Sequence, residues 1–220
     1  MDRTLFALLG EMEDETSSLD RQEFQTRLGR GLAEMNNRYA AYLYAPFVLG
    51  SGFPEFSAVL RTHAPVYGMA RTLAEVCHPL PLRVAVARGE IDGGLESRDA
   101  EAMDGPAFDL AGELLYRARK EERLLLVHTG DDDFDTLFNA LLLLLHRNFQ
   151  QWTSRQWEVV RLYRELGRQS DVAQALDISQ QSVSNTLSGA GWKVVKEVED
   201  SLTRVLGEVQ ILPLADPLGV

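Results

Sequence analysis

The stretch QSDVAQALDISQQSVSNTL, residues 169–187, has the residue types of two short helices joined by a tight turn. Ala173 is small where the two helices would cross, and Asp177 stands at the turn, where aspartate tolerates a left-handed backbone better than most residues. Ser179 is a natural N-cap for the second helix. Apolar residues recur where both helices would face a supporting core, at Val172, Leu176, Ile178, Val183 and Leu187. The stretch therefore predicts a helix-turn-helix.

The outward residues of the second helix are amides and hydroxyls. Gln and Asn can pair with an adenine edge in the major groove, and Ser can contact a base or a phosphate. We expect DNA contacts from Ser179, Gln180, Gln181, Ser184, Asn185 and Ser188. Phosphate contacts are expected from the nearby cations Arg164, Arg168 and Lys193, with Arg155, Arg161 and Lys196 as further candidates. The alternative is a helical hairpin that packs or dimerises and binds no DNA.

The neighbouring segments are also helical in pattern. SRQWEVVRLYRELG, residues 154–167, predicts an amphipathic helix before the motif. After the motif, an apolar stripe predicts one long helix to about Leu206, unless Gly189 and Gly191 break it. The exposed side of that helix could pair with a second chain or only cap the domain core.

Charge is unevenly spread along the 220 residues, whose formal net charge is −11. Residues 1–147 hold 15 Lys and Arg against 24 Asp and Glu, whereas residues 148–210 hold 7 against 8. The acidity therefore lies upstream of the motif, and the nearly neutral remainder permits contact with DNA without strongly promoting it. We expect a first domain over 1–130, a helical domain over 131–210 and a tail over 211–220.

Composition restricts the class of protein. No apolar run approaches the roughly 20 residues that span a bilayer, and the N-terminal residues are too acidic for a signal peptide. The single cysteine, Cys77, excludes an internal disulfide and a cysteine-rich metal site. The four histidines are scattered and are expected at the surface or in packing. The sequence predicts a cytoplasmic protein with no membrane segment.

The first 130 residues alternate between strand and helix patterns, in the order β-α-β-β-α-β-α-β. LRVAVARGEI, residues 82–91, alternates apolar and other residues as a strand does. Asp104 could cap the helix that follows, with Pro106 in its first turn. The acidic run at residues 131–135 lacks the later Gly and Glu of a calcium loop, so we interpret it as a solvated helix start. The order predicts an α+β fold, a ferredoxin-like or cyclase-like sheet with helices on one face, followed by an all-α helix-turn-helix domain.

Several short motifs of this domain resemble the SatD family, whose N-terminal half is similar to class III cyclase and GGDEF domains. ALLGEM, residues 7–12, fits the first strand, and VLGSGFPEF, residues 48–56, fits the hairpin. VAVARGEIDGG, residues 84–94, and GPAFDLAGELLYRAR, residues 105–119, fit the later strand and helix. The resemblance implies a C-terminal helix-turn-helix as well.

The metal-binding acids of that pattern are largely missing. Glu11 stands where the family has Asp, and Ser51 and Gly52 replace the hairpin acids. Because paired carboxylates hold Mg²⁺ against a triphosphate, we expect no catalytic residues, no metal and no cofactor. The domain would sense a ligand, a nucleotide or small metabolite, in a pocket near Glu11, Ser51, Phe53 and Phe108, or it would form a homodimer. The leading hypothesis is a DNA-binding regulator. The alternatives are a protein-interaction scaffold and a weak nucleotide-binding enzyme acting through Glu11.

Overall fold

The computed structural model describes residues 4–12, 21–50, 55–78 and 80–209, and side chains within these ranges except 21–24 and 206–209. The chain divides into two compact units, Leu144–Leu202 and the rest. None of the helices in the described ranges is both long and apolar enough to span a bilayer. The hairpin residues Ser51 and Phe53, and the tail after Val209, lie outside the described residues. The predicted domain limits stay predictions.

The sheet unit follows the predicted order of elements. Its strands are β1 (Thr4–Met12), β2 (Leu43–Leu49), β3 (Glu55–Leu60), β4 (Leu82–Glu90) and β5 (Leu125–His128). Its helices are α1 (Arg21–Arg38), α2 (Val66–Cys77) and α3 (Pro106–Lys120). The strands form one five-stranded sheet in the order β2-β3-β1-β4-β5. Strand β1 is antiparallel to both its neighbours, and only β5 runs parallel to its neighbour, β4. The sequence prediction of a mixed α+β fold is confirmed.

Helices cover both faces of this sheet, so the expectation of helices on one face is wrong. On one face, Ala7 and Ala85 pack against Ala107 and Ala111 of α3 in a core built largely from small residues. On the other face, Phe6 and Leu8 are equally buried, and α1 and α2 pack together with buried Leu28 and Leu73. Since successive strand residues point to opposite faces, a strand buried along its whole length needs cover on both sides.

At two positions, Gly10 and Gly105, the local geometry favours glycine over other residues. A Cβ on Gly10 would overlap the ring of Phe56, which pairs with Gly10 across the sheet, so only glycine leaves room for that ring. Gly105 has φ +140 and is the N-cap residue of α3. The expectation that Asp104 caps α3 is therefore wrong, because its carboxylate instead accepts a hydrogen bond from the backbone N–H of Gly105 at 2.8 Å. Pro106 does begin the helix, as expected.

Helix α4 (Asp132–Gln150) follows β5, and side chains from its first half are hydrogen-bonded to that strand and to the residue after it. Asp135 is buried, not solvated as expected, and accepts hydrogen bonds from the backbone N–H and hydroxyl of Thr129. The side chain of Asn139 bonds both backbone groups of Val127, accepting from its N–H at 2.9 Å and donating to its carbonyl at 2.8 Å. These contacts satisfy edge groups of β5 that would otherwise lack a strand partner.

The C-terminal helices are α5 (Ser154–Leu166), α6 (Gln169–Ala175), α7 (Gln180–Gly189) and α8 (Trp192–Val209). Helix α5 begins with a capping box between Thr153 and Gln156. The sequence predicts one long helix to about Leu206 only if Gly189 and Gly191 do not break it. Gly191 does break it, because its φ of +64 separates α7 from α8.

Candidate functional site

Helices α6 and α7 meet through a short turn whose backbone follows the sequence prediction. Asp177 has φ +51, in the left-handed region. Ser179 is the N-cap of α7, and its hydroxyl accepts a hydrogen bond from the backbone N–H of Ser182 at 3.1 Å. Val172 and Val183 are fully buried, and Ala173 is buried as well. The apolar side of the pair is thus fixed inside the helical unit.

The opposite side of α7 presents polar groups without charge. Ser179, Gln180, Gln181, Asn185 and Ser188 are exposed, and Ser184 is half-buried. The amide of Gln181 donates to the side-chain oxygen of Asn185 at 2.9 Å, one helical turn away. This bond holds the two amides side by side and leaves the Gln181 oxygen and the Asn185 NH₂ group available for further hydrogen bonds.

The three expected phosphate anchors differ in their surroundings. Arg168 is exposed at the N-cap of α6, and Lys193 is exposed in the first turn of α8. Arg164 is directed inward: its guanidinium donates to Glu199 at 2.6 Å and lies 4.9 Å from the centre of the Trp192 ring. Its side chain is only 11% exposed. Arg164 is therefore a structural residue, which a sequence without coordinates could not separate from its exposed neighbours.

Charge in the helical unit is balanced. Leu144–Leu202 contains seven Lys and Arg and seven Asp and Glu, and several of the exposed cations are paired within their own helix. Arg155 pairs with Glu158 at 2.6 Å, and Arg161 lies 3.8 Å from Glu165. Helix α7 itself contains no charged residue. Any attraction to a polyanion would come from a few positions flanking α7.

In the sheet unit, Glu11 is buried at the end of β1 and is engaged by two arginines. Its carboxylate accepts a hydrogen bond from the Arg119 side chain of α3 at 2.9 Å, with a second contact between the same groups, and lies 3.5 Å from Arg83 of β4. Two guanidinium groups neutralise the carboxylate. The arrangement suits a structural ion pair better than a ligand of Mg²⁺, which binds carboxylates that are not already matched by cations.

Two concavities lie beside this region, on either side of Leu9, Glu55 and Phe56. One, of about 260 Å³, is lined also by Gly10, Tyr116 and Arg119. The other, of about 270 Å³, is lined also by Gly50, Glu101, Asp104 and Phe108. Of the four expected pocket residues, Phe108 borders the second cavity and Glu11 lines neither of these two, whereas Ser51 and Phe53 lie outside the described residues. The carboxylates of the second cavity would repel a triphosphate.

One cluster of titratable side chains, around His128, is not predicted by the sequence. His128 Nδ1 lies 2.9 Å from Asp135, and this hydrogen bond, opposed by partial burial, raises the pKa of His128 above its ordinary value. Asp132 is close enough to complete a group of three residues with metal-ligand atoms. Both oxygens of Asp135 already accept hydrogen bonds from Thr129, and the helix dipole at this end disfavours a cation. The spacing of seven residues between His128 and Asp135, across a strand end and a helix start, gave no signal in the sequence.

The structure defines an α+β protein: a five-stranded sheet unit followed by a helical unit that presents an uncharged polar helix. Its sequence matches the model of the SatD family over residues 5–204, and the chain belongs to that family. No curated protein matches it. Among solved structures, it is similar to the crystal structure of Regulator of Polyketide Synthase Expression from Bifidobacterium adolescentis. The two are 13% identical, the match covers 95% of this chain and 82% of that one, and the TM-score is 0.29.

Proposed function

We propose that this protein is a cytoplasmic DNA-binding regulator in which α6 and α7 form a helix-turn-helix and α7 enters the major groove. The observation that carries the proposal is the division of α7 into a buried apolar side, with Val183 and Leu187, and an exposed side of amides and hydroxyls. A surface helix used only for solubility would be expected to carry charges, as the exposed faces of α5 and α8 do.

Within this proposal, Gln181 and Asn185 act together in recognising a base. Their mutual hydrogen bond orients the Gln181 oxygen and the Asn185 NH₂ group outward, where adenine offers an N6 donor and an N7 acceptor. Ser179 and Gln180 stand at the helix N-terminus, where backbone N–H groups and the dipole favour a phosphate. Arg168 and Lys193 supply the flanking cations, and Arg164 takes no part because Glu199 and Trp192 hold it inside.

The test is fluorescence anisotropy with a pool of labelled genomic fragments at two salt concentrations, followed by titration of the enriched fragment. Gln181→Ala should reduce the preference for that fragment by about 1–3 kcal/mol per lost bidentate pair. Arg168→Ala and Lys193→Ala should weaken binding to all fragments alike and make it less steeply salt-dependent. Arg204→Ala removes an exposed charge outside the helical unit and serves as the matched control. Absence of binding at low salt would favour the protein-interaction scaffold.

We propose no catalytic role for the sheet unit, which would sense a ligand or pair with a second copy. The ion pairs of Glu11 with Arg83 and Arg119 support a structural role for that carboxylate. The carboxylates around the second cavity favour a ligand other than a nucleoside triphosphate, so the small metabolite is the better candidate of the two. Thermal unfolding with and without ATP and Mg²⁺ checks this: we expect no shift, and a stabilisation that Glu11→Gln abolishes would support the weak-enzyme alternative instead.

A further inference from the structure

Helix α4 carries a row of exposed leucines beside its buried side. Its buried side is formed by Phe138, Leu142, Leu145 and Phe149. Beside that side, Leu137 is 69% exposed, Leu141 42% and Leu144 67%. Leucines so exposed on one helix are unusual in a soluble protein that stays alone, and apolar patches of this kind mark interaction surfaces.

The spacing of the row is that of a helix-pairing seam. Phe134, Leu137, Leu141 and Leu144 follow one another at intervals of three, four and three residues, which keeps them on one narrow stripe of the helix. Phe134, half-buried at the N-terminal end, stacks on Phe138 at 5.2 Å between ring centres. A partner helix with apolar residues at the same spacing could cover the stripe along its length.

The charges at the two ends of α4 select that partner. Its first turn carries Asp132 and Asp133, and its last turn carries Arg147. A second copy of α4 laid antiparallel, with Leu137 level with Leu144 of the partner subunit, brings Asp133 within about one residue rise, 1.5 Å, of the level of Arg147 of the partner subunit. A parallel copy would instead place Asp133 beside Asp133 of the partner subunit. Opposite charges and opposed helix dipoles both favour the antiparallel arrangement.

We propose that two copies of this chain pair through the leucine stripe of α4, Leu137, Leu141 and Leu144, in an antiparallel and two-fold symmetric contact. The same patch then faces itself, as an isologous dimer requires. The patch is small compared with the roughly 1,600 Å² of a standard interface, so the dimer forms reversibly and its population rises with concentration. The inference stands apart from DNA binding, and either can fail without the other.

The first test is the mass of the full chain by light scattering across a concentration series. The mass should rise from 24.6 kDa for one chain towards twice that value. The double variant Leu137→Glu, Leu144→Glu should raise the dissociation constant of the dimer by at least about a hundredfold, because four charges enter the contact. Tyr116→Glu changes a residue of α3 that is 65% exposed and outside the stripe, and it should leave the dimer unchanged. Circular dichroism checks that each variant folds.

The second test fixes the direction of pairing. Asp133→Arg should weaken the dimer, and adding Arg147→Asp should restore it. Under mild oxidation, a mixture of the Asp133→Cys and Arg147→Cys proteins should form a crosslinked dimer that neither forms alone; Cys77 is buried and sets the background. A mass of one chain at every concentration, or crosslinking of Asp133→Cys to itself in preference to the mixture, overturns the proposal.

Discussion

Replacing Arg164 by alanine should destabilise the helical unit strongly. The guanidinium and the carboxylate of Glu199 are about one-tenth exposed and 2.6 Å apart, and they join α5 to α8. Breaking a buried ion pair by removing one of its two partners costs about 3–5 kcal/mol. The lost contact with the Trp192 ring adds about 1 kcal/mol. We therefore expect a loss of about 4–6 kcal/mol.

The assay is urea denaturation followed by tryptophan emission. All three tryptophans, Trp152, Trp157 and Trp192, lie in Leu144–Leu202, so the signal reports this unit and not the sheet. Arg164→Lys, which keeps the charge but not the planar donor, should lose less. Replacing Arg164 and Glu199 together by methionine should cost less, because both buried charges are then removed.

The reasoning would be refuted if Arg164→Ala lost less than about 1 kcal/mol, the range of exposed ion pairs. Arg168→Ala is the matched comparison, since it removes an exposed arginine close by in sequence. It should leave the urea midpoint unchanged and weaken DNA binding. The two variants thus separate a stability effect from a binding effect.

Three further predictions concern single features. Asp177→Val should destabilise the helical unit by about 1–2 kcal/mol, whereas Asp177→Gly should not, because φ is +51 at this turn; the same tryptophan signal measures both. His128→Gln should lower the melting temperature at pH 5.5 more than at pH 8.5. Because the pKa of His128 is raised in the folded protein, the protonated histidine stabilises the fold fully below its pKa in the unfolded chain, near 6.5. This contribution is lost as the pH rises through the pKa of the folded state. An equal loss of melting temperature at both pH values would contradict this. Glu11→Ala should cost about 3–5 kcal/mol because it breaks the ion pairs of this buried carboxylate with Arg83 and Arg119, in a melt followed by circular dichroism with Tyr116→Ala as control.

Much of the fold follows from local patterns in the sequence. The alternation of LRVAVARGEI marks strand β4, and the spacing of the buried Leu28, Leu32 and Met35 marks helix α1, since periodicity depends only on which face is buried. The turn at Asp177 and the cap at Ser179 were also predictable, because both depend on the chemistry of one residue. The coverage of both sheet faces was not, since alanines such as Ala85 and Ala87 give no signal of burial until α3 packs on them.

The candidate site could likewise be predicted from the sequence only in part. The outward residues of α7 follow from helical geometry once Val183 and Leu187 are assigned to the core. The roles of individual charges do not, because Arg164 and Arg168 differ only in what lies across from them in space. The leucines of α4 were equally ambiguous: an unbroken run, residues 141–145, hides which members face the core.

The amide of Asn139 has a consequence for how copies of this protein can assemble. It forms hydrogen bonds with both outward backbone groups of Val127 and so occupies the free edge of the four-residue strand β5. A strand of a second molecule that approached this edge would find the backbone N–H and C=O of Val127 already hydrogen-bonded. It could pair there only after the bonds to Asn139 had broken. Growth of the sheet from molecule to molecule is therefore disfavoured at the β5 border.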